Sequence, residues 1–333
     1  MKSKIITVAA LLAAPLFVFA KDPFAGFYAG KIEGAKFYPL EHSPEVYARI
    51  VRQDDGKYKF DLLSGVFVRS ESHCSAEGLV AKDGKIELKD TKLITLNGSI
   101  TPESISADGV AYGTKVKVSL KRINVKSPTL GLEAPQGATV LFDGKDMSQW
   151  KQDFDGSPCA WKLEDGAMVS KPLDKNGKKV DGTIATKGKF GAFRMHLEFK
   201  IPATGPGNSG VYVGPYEIQV FNSFGKDGNW FDCGSIYRQH PPKVNASIEP
   251  EAWQTYDIEF HPAKFDGDRL ISHPTFTVYH NGVRIHNDDP VYYATTLHPA
   301  HGAHYVHKLA NWPIKLQDHW NPVAYRNIWI QNL

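Results

Sequence analysis

The chain has 333 residues, enough for about two domains at the usual ~150 residues each. Hydrophobic residues make up 42%, charged residues 23% and aromatics 12%, a globular composition that excludes a disordered or fibrous chain. Lys and Arg number 39 against 36 Asp and Glu; the formal net charge of +3 gives no reason to expect nucleic acid or an anionic membrane as partner.

Residues 1–20 read as a signal peptide. Lys2 and Lys4 form a charged start, residues 5–20 form an apolar run broken by Pro15, and Val18-Phe19-Ala20 offers a small-residue cleavage site. The run is too short and broken for a membrane span of ~20 residues. A mature chain beginning near Lys21, periplasmic or secreted, is expected. Three cysteines follow, Cys74, Cys159 and Cys233. An oxidising compartment permits a Cys159–Cys233 bridge; three buried thiols are the alternative.

Residues 21–125 show short alternating runs separated by turns. Strands are expected at 28–32, 47–52, 58–63, 78–81, 85–88, 92–96, 99–101 and 114–121. Asp55-Gly56, Asp83-Gly84 and Asn97-Gly98 read as hairpin turns between them. This is a small antiparallel β domain with no chemical constellation of its own. Residues 126–137, with Pro128, Gly131, Pro135 and Gly137, read as a linker.

Residues 138–333 carry longer strands. In 195–201, Met195, Leu197, Phe199 and Ile201 face one side; His196, Glu198 and Lys200 face the other and read as a solvated face. Further strands are expected at 253–260, 275–280, 314–319 and 325–330, with an Asn281-Gly282 turn. No stretch holds a helical period. The fold class is therefore all-β, with a two-sheet sandwich in the second half.

Several phrases in this half are more specific than a fold pattern. They are Leu141-Phe142-Asp143-Gly144-Lys145, Trp161-Lys162-Leu163-Glu164-Asp165-Gly166, Asn208-Ser209-Gly210-Val211-Tyr212 and Tyr216-Glu217-Ile218-Gln219-Val220. Cys233-Gly234-Ser235-Ile236-Tyr237, Trp253-Gln254-Thr255-Tyr256-Asp257-Ile258 and Ile314-Lys315-Leu316-Gln317-Asp318-His319 complete the series. In this order they resemble the 3-keto-disaccharide hydrolase domain family over about residues 138–333. The resemblance implies a concanavalin-like (jelly-roll) sandwich, extracytoplasmic sugar metabolism and cleavage of glycosides oxidised at C3. Three positions depart from the family pattern. Val213-Gly214 stands where an arginine is usual, Asn222 replaces a carboxylate, and Trp320 replaces a glycine.

A ketone at C3 acidifies the hydrogen on C2, so a base can remove it and the C1 aglycone can leave by β-elimination; hydration completes a net hydrolysis. Such a site needs a base, an acid and donors for the enolate oxygen. Strand alternation puts Glu217 and Gln219 on one face, and Lys315, Gln317 and His319 on one face of their strand. Glu217 is the candidate base and His319 the acid, or the reverse. Lys315 and Gln317 are candidate enolate donors, and Asp232 is a second carboxylate on a loop. Asn208, Gln219, Tyr237 and Arg238 are candidate substrate contacts, and Trp230 a stacking platform. Trp150, Trp161, Trp253 and Trp329 read as core. No cofactor is required by this chemistry. His298, His301, His304 and His307 recur every three residues and could hold a divalent metal such as zinc. A non-catalytic glycan-binding module on the same fold is the alternative. A conventional glucanase would need a second carboxylate where Gln219 stands.

Overall fold

The computed structural model describes residues 21–36, 40, 42–69, 72–89, 91–170, 182–295 and 310–333. The described residues contain strands, turns and loops but no helix, and so none long and apolar enough to cross a membrane.

The first half is one nine-stranded antiparallel sheet. Its spatial order is Cys74–Leu79, Tyr58–Leu63, Glu45–Arg52, Gly26–Glu33, Thr114–Ile123, Ser104–Ala111, Thr95–Ile100, Lys85–Leu88, Ala81–Lys82. The sheet curls, because Ser75 on one edge strand forms a bridge with Lys92 near the other end. Alternate residues such as Tyr28, Val46, Ile50, Phe60, Leu62, Ile86, Leu96, Val118 and Leu120 fill one enclosed core. The Asp83-Gly84 turn forms with both residues left-handed, as a tight hairpin requires. Asn97-Gly98 is not a turn. It lies inside Thr95–Ile100, where a Cβ on Gly98 would come within 2.0 Å of the Ser106 carbonyl oxygen. The glycine permits close strand approach, and the neighbouring strand Ser104–Ala111 escapes detection because Ser, Asp and Gly dilute its alternation.

The second half is a sandwich. An eight-stranded sheet runs Lys162–Glu164, Ala167–Val169, Ala324–Asn332, Phe193–Lys200, Trp253–His261, Thr275–His280, Val283–Pro290, with Thr139–Phe142 also pairing Ala324–Asn332. A five-stranded sheet runs Trp150–Gln152, Ile184–Thr186, Ile314–Leu316, Ser209–Val213, Tyr216–Val220. Met195, Leu197, Phe199 and Ile201 point into the core with Val211, Ile218, Ile314 and Leu316 from the facing sheet. No disulfide forms among the described residues: Cys74 and Cys233 are buried thiols, and the Cys233 sulfur lies 3.1 Å from the Tyr256 hydroxyl.

His196 and Glu198 are not solvated; both are buried. The stretch read as a linker lies across this outer face and covers them. The Gly131 N–H donates to Glu198 Oε1 at 2.6 Å, and Thr129 Oγ1 donates to Asp257 Oδ2 at 2.7 Å. The Leu132 carbonyl accepts from the Asn327 amide and the Trp329 indole. Arg326 Nε donates to Glu198 Oε2 at 2.6 Å, while His196 Nδ1 sits 2.7 Å from Asp257 Oδ1 with its ring stacked on Trp329. Burial alone would raise the Glu198 pKa, but His196, Asn327, the Gly131 N–H and Arg326 outweigh it and hold the carboxyl down at about 2. A third apolar cluster joins the halves. Phe27 meets Phe224 edge-on at 5.5 Å beside Ile248, and Gly225 packs so close to Val51 that a Cβ would clash.

Candidate functional site

The five-stranded sheet presents the polar face that the alternation predicts. Val211, Val213, Ile218, Val220, Ile314 and Leu316 take the core side. The opposite parity leaves Gly210, Tyr212, Glu217, Gln219 and Lys315 outward on adjoining strands. Register fixes their neighbours. Tyr212 lies directly opposite Glu217 on one side and Lys315 on the other, and Gly210 lies opposite Gln219. The Gln317 N–H donates to the Gly210 carbonyl, which continues the ladder one step beyond the last strand residue.

Glu217 is only 3% exposed and has no cation beside it among the described residues. The Tyr212 hydroxyl donates to its Oε2 at 2.7 Å, and the Gln317 amide nitrogen reaches the Tyr212 oxygen at 3.4 Å. Burial pushes the Glu217 carboxyl up to about 7, and the Tyr212 hydrogen bond only partly opposes this. Burial and the Glu217 charge both push the Tyr212 phenol up. The Glu217 side chain folds over Gly210, where a Cβ would stand 2.4 Å from Oε1. Glycine here leaves the carboxylate its place. The amide oxygens of Gln219 and Gln317 are buried without a hydrogen-bond partner among the described residues. Buried polar atoms are rarely left so, and both lie on the face that holds Glu217.

The outer edge of this face holds further expected residues. The Tyr237 N–H donates to the Glu217 carbonyl, and the Arg238 N–H donates to the Trp230 carbonyl. The Arg238 guanidinium lies 5.7 Å from the Tyr237 ring centre, and Trp230 is half exposed. Thr295 Oγ1 accepts the Glu217 N–H at 3.1 Å. Asn208 precedes Gly210 by two residues, and its N–H donates to Asn321 Oδ1 at 2.7 Å. Lys315 pairs with Asp153 at 2.7 Å.

Two expected catalytic residues make no hydrogen bond to Glu217 among the described residues. Asp232 is buried inside its own loop, where Oδ1 accepts from the Ser223 hydroxyl and Oδ2 from the Asn229 N–H. It organises the 223–235 loop and has no contact with Glu217. The strand expected over 314–319 ends at Leu316. The inward and outward alternation nonetheless runs on past the strand end, with Gln317 half-buried, Asp318 buried and His319 exposed. Asp318 turns inward, accepting from the Ser170 hydroxyl, and His319 is exposed beside Trp320, their ring centres 5.3 Å apart. Tyr212 is the residue that the sequence reading missed; its alternation with Gly210 and Asn208 was the available signal. His298, His301, His304 and His307 fall outside the described residues. Among the described residues no group of three or more His, Cys, Asp or Glu side chains is arranged to hold a metal ion.

The sequence model of the 3-keto-alpha-glucoside-1,2-lyase-like domain matches residues 137–331. The chain belongs to this family. A candidate glycosyl hydrolase of known structure from Parabacteroides distasonis is 37% identical, with a TM-score of 0.52, over 60% of this chain and 86% of its own. A second candidate glycosyl hydrolase from the same organism is 23% identical, with a TM-score of 0.42, over 59% of this chain and 94% of its own. No curated protein matches. The 3-keto-alpha-glucoside-1,2-lyase-like domain spans the sandwich and the polar sheet face, and it makes the chain a carbohydrate-active protein.

Proposed function

We propose that the sandwich cleaves 3-keto-glycosides by β-elimination, with Glu217 as the base that removes the C2 proton. The observation that carries this reading is the buried Glu217 carboxyl, raised to about 7, hydrogen-bonded by Tyr212 and packed over Gly210. A base works best when its pKa lies near the operating pH. In the elimination, the C2–H electrons form the C1–C2 double bond as the C1–O bond breaks. Glu217 takes the proton, Tyr212 gives its own to the departing oxygen, and Glu217 restores it to Tyr212 across their hydrogen bond. The products are the free aglycone and a 3-keto-1,2-ene sugar. Water adding across that double bond, oxygen to C1 and hydrogen to C2, completes the net hydrolysis. Gln317 and Lys315, beside Tyr212, supply donors toward the enolate oxygen. The leader read at residues 1–20 would place this reaction outside the cytoplasm.

A glycan-binding module is favoured by one observation, the unpartnered acceptors of Gln219 and Gln317, which suit sugar hydroxyls. Assay of aglycone release separates the two. Nitrophenyl 3-keto-glucosides should release nitrophenol with the purified protein, and the unoxidised glucosides should not. Binding of the keto sugars without release, across both anomers, would assign the module instead.

A further inference from the structure

Trp320 occupies a costly position. Its backbone is left-handed, with φ of 60°, a region that a bulky side chain adopts only under constraint. Its side chain is 63% exposed, so burial contributes little to offset that strain. The surrounding turn is nonetheless pinned at several points. Asp318 Oδ1 accepts the Trp320 N–H at 3.0 Å and the Ser170 hydroxyl. Asn321 Oδ1 accepts the Asn208 N–H, and Ser209 Oγ donates to the Gln317 carbonyl at 2.6 Å. The turn therefore starts at Gln317, a lining residue of the polar face, and is tied to the start of the strand that carries Gly210 and Tyr212. A large indole is held out to solvent at the rim of the Glu217 face, by a backbone that would be relaxed with glycine.

We infer that Trp320 is a stacking platform for the aglycone sugar of a disaccharide whose keto ring lies over Gly210 and Glu217. The inference rests on the reading of Glu217 given above for the placing of the keto ring. An indole face offers a flat apolar surface that suits the CH-lined face of a pyranose, and the His319 ring beside it extends the same wall. Trp320 is thus a specificity-determining residue: it separates disaccharides from glycosides of small alcohols.

Calorimetric titration tests this with the Trp320→Gly and Trp320→Phe substitutions, each in the full chain carrying Glu217→Gln so that ligand is not consumed. The probes are a 3-keto-glucosyl-glucose disaccharide, its unoxidised counterpart and methyl 3-keto-glucoside. Trp320→Gly should melt at the same or a higher temperature yet bind both disaccharides about tenfold more weakly, the loss of a stacking contact of about 1.4 kcal/mol. Trp320→Phe should recover most of that affinity, and the methyl glycoside should bind equally in all three proteins. Disaccharide affinity unchanged in Trp320→Gly, or no disaccharide binding at all before the Trp320 change, would overturn the inference. Failure of the Glu217 reading shows separately, as absence of aglycone release by the unsubstituted protein while the Trp320 effect on binding persists.

Discussion

Glu217→Gln should lose turnover by about 10²–10⁴-fold, the usual contribution of a positioned base, while still binding a 3-keto-glucoside. The same substitution should make the folded protein more stable at pH 8. The sign follows from the direction of the shift. Glu217 has its carboxyl raised from 4.5 to about 7 on folding, so the native state holds the proton more tightly than the unfolded chain. Stability therefore falls as pH rises from about 4.5 to 7, and above 7 the full penalty of burying the charge is present. That penalty is up to about 3 kcal/mol, and the neutral amide of glutamine removes it. The unsubstituted enzyme should gain activity with rising pH through about 7, because only the ionised carboxylate accepts the C2 proton. Steady-state rates and urea titrations at pH 6 and 8 check both effects. Wild-type turnover in Glu217→Gln would remove it from the role of base, and reduced stability at pH 8 would mean that its charge is compensated.

Glu198→Ala should destabilise the protein by about 3–5 kcal/mol, the usual cost of removing one partner of a buried ion pair. Glu198 and Glu217 are both glutamates on sandwich strands, both nearly inaccessible, and they titrate in opposite directions. Among the described residues, Glu217 has a single phenol donor and no cation. Glu198 has Arg326, Asn327, the Gly131 N–H and His196 around it. Its carboxyl is held at about 2, so the stability that its ionised form contributes is complete above about 4.5 and is lost as pH falls through about 2. Removing it would leave the Gly131 N–H without its acceptor and Arg326 without its carboxylate, while Thr129 and the Leu132 carbonyl still tie the segment to the sheet. Urea titration at pH 7 measures the loss. A change below 1 kcal/mol would mean that this carboxylate is not what fastens the segment.

The contrast between these two residues shows where the sequence was legible. Alternation assigned Met195, Leu197 and Phe199 inward and put Glu217, Gln219 and Lys315 together, because a strand with one apolar side has one way to pack. The same alternation misread His196 and Glu198, since it reports which residues share a face and not what lies on that face. The covering segment, 127–132, has no period of its own. The strand expected over 314–319 ends at Leu316, three residues early; parity still puts His319 on the exposed side, but no strand pairing fixes it beside Glu217. Asn97-Gly98 shows the same ambiguity at shorter range: a glycine can serve a turn or the close passage of a neighbouring strand, and only the partner strand decides. Asp232, read as a second loop carboxylate, has its oxygens engaged by the Ser223 hydroxyl and the Asn229 N–H of its own loop.

Isotope exchange measures most directly whether Glu217 takes a proton from carbon. A 3-keto-glucoside incubated with the protein in deuterium oxide, followed by mass spectrometry of the sugar product, reports on C2. The elimination account predicts one deuterium at C2 of the hydrated 3-keto sugar, and none incorporated when Glu217→Gln is used. Aglycone release with C2 fully protonated would mean direct displacement at C1 and would contradict the account.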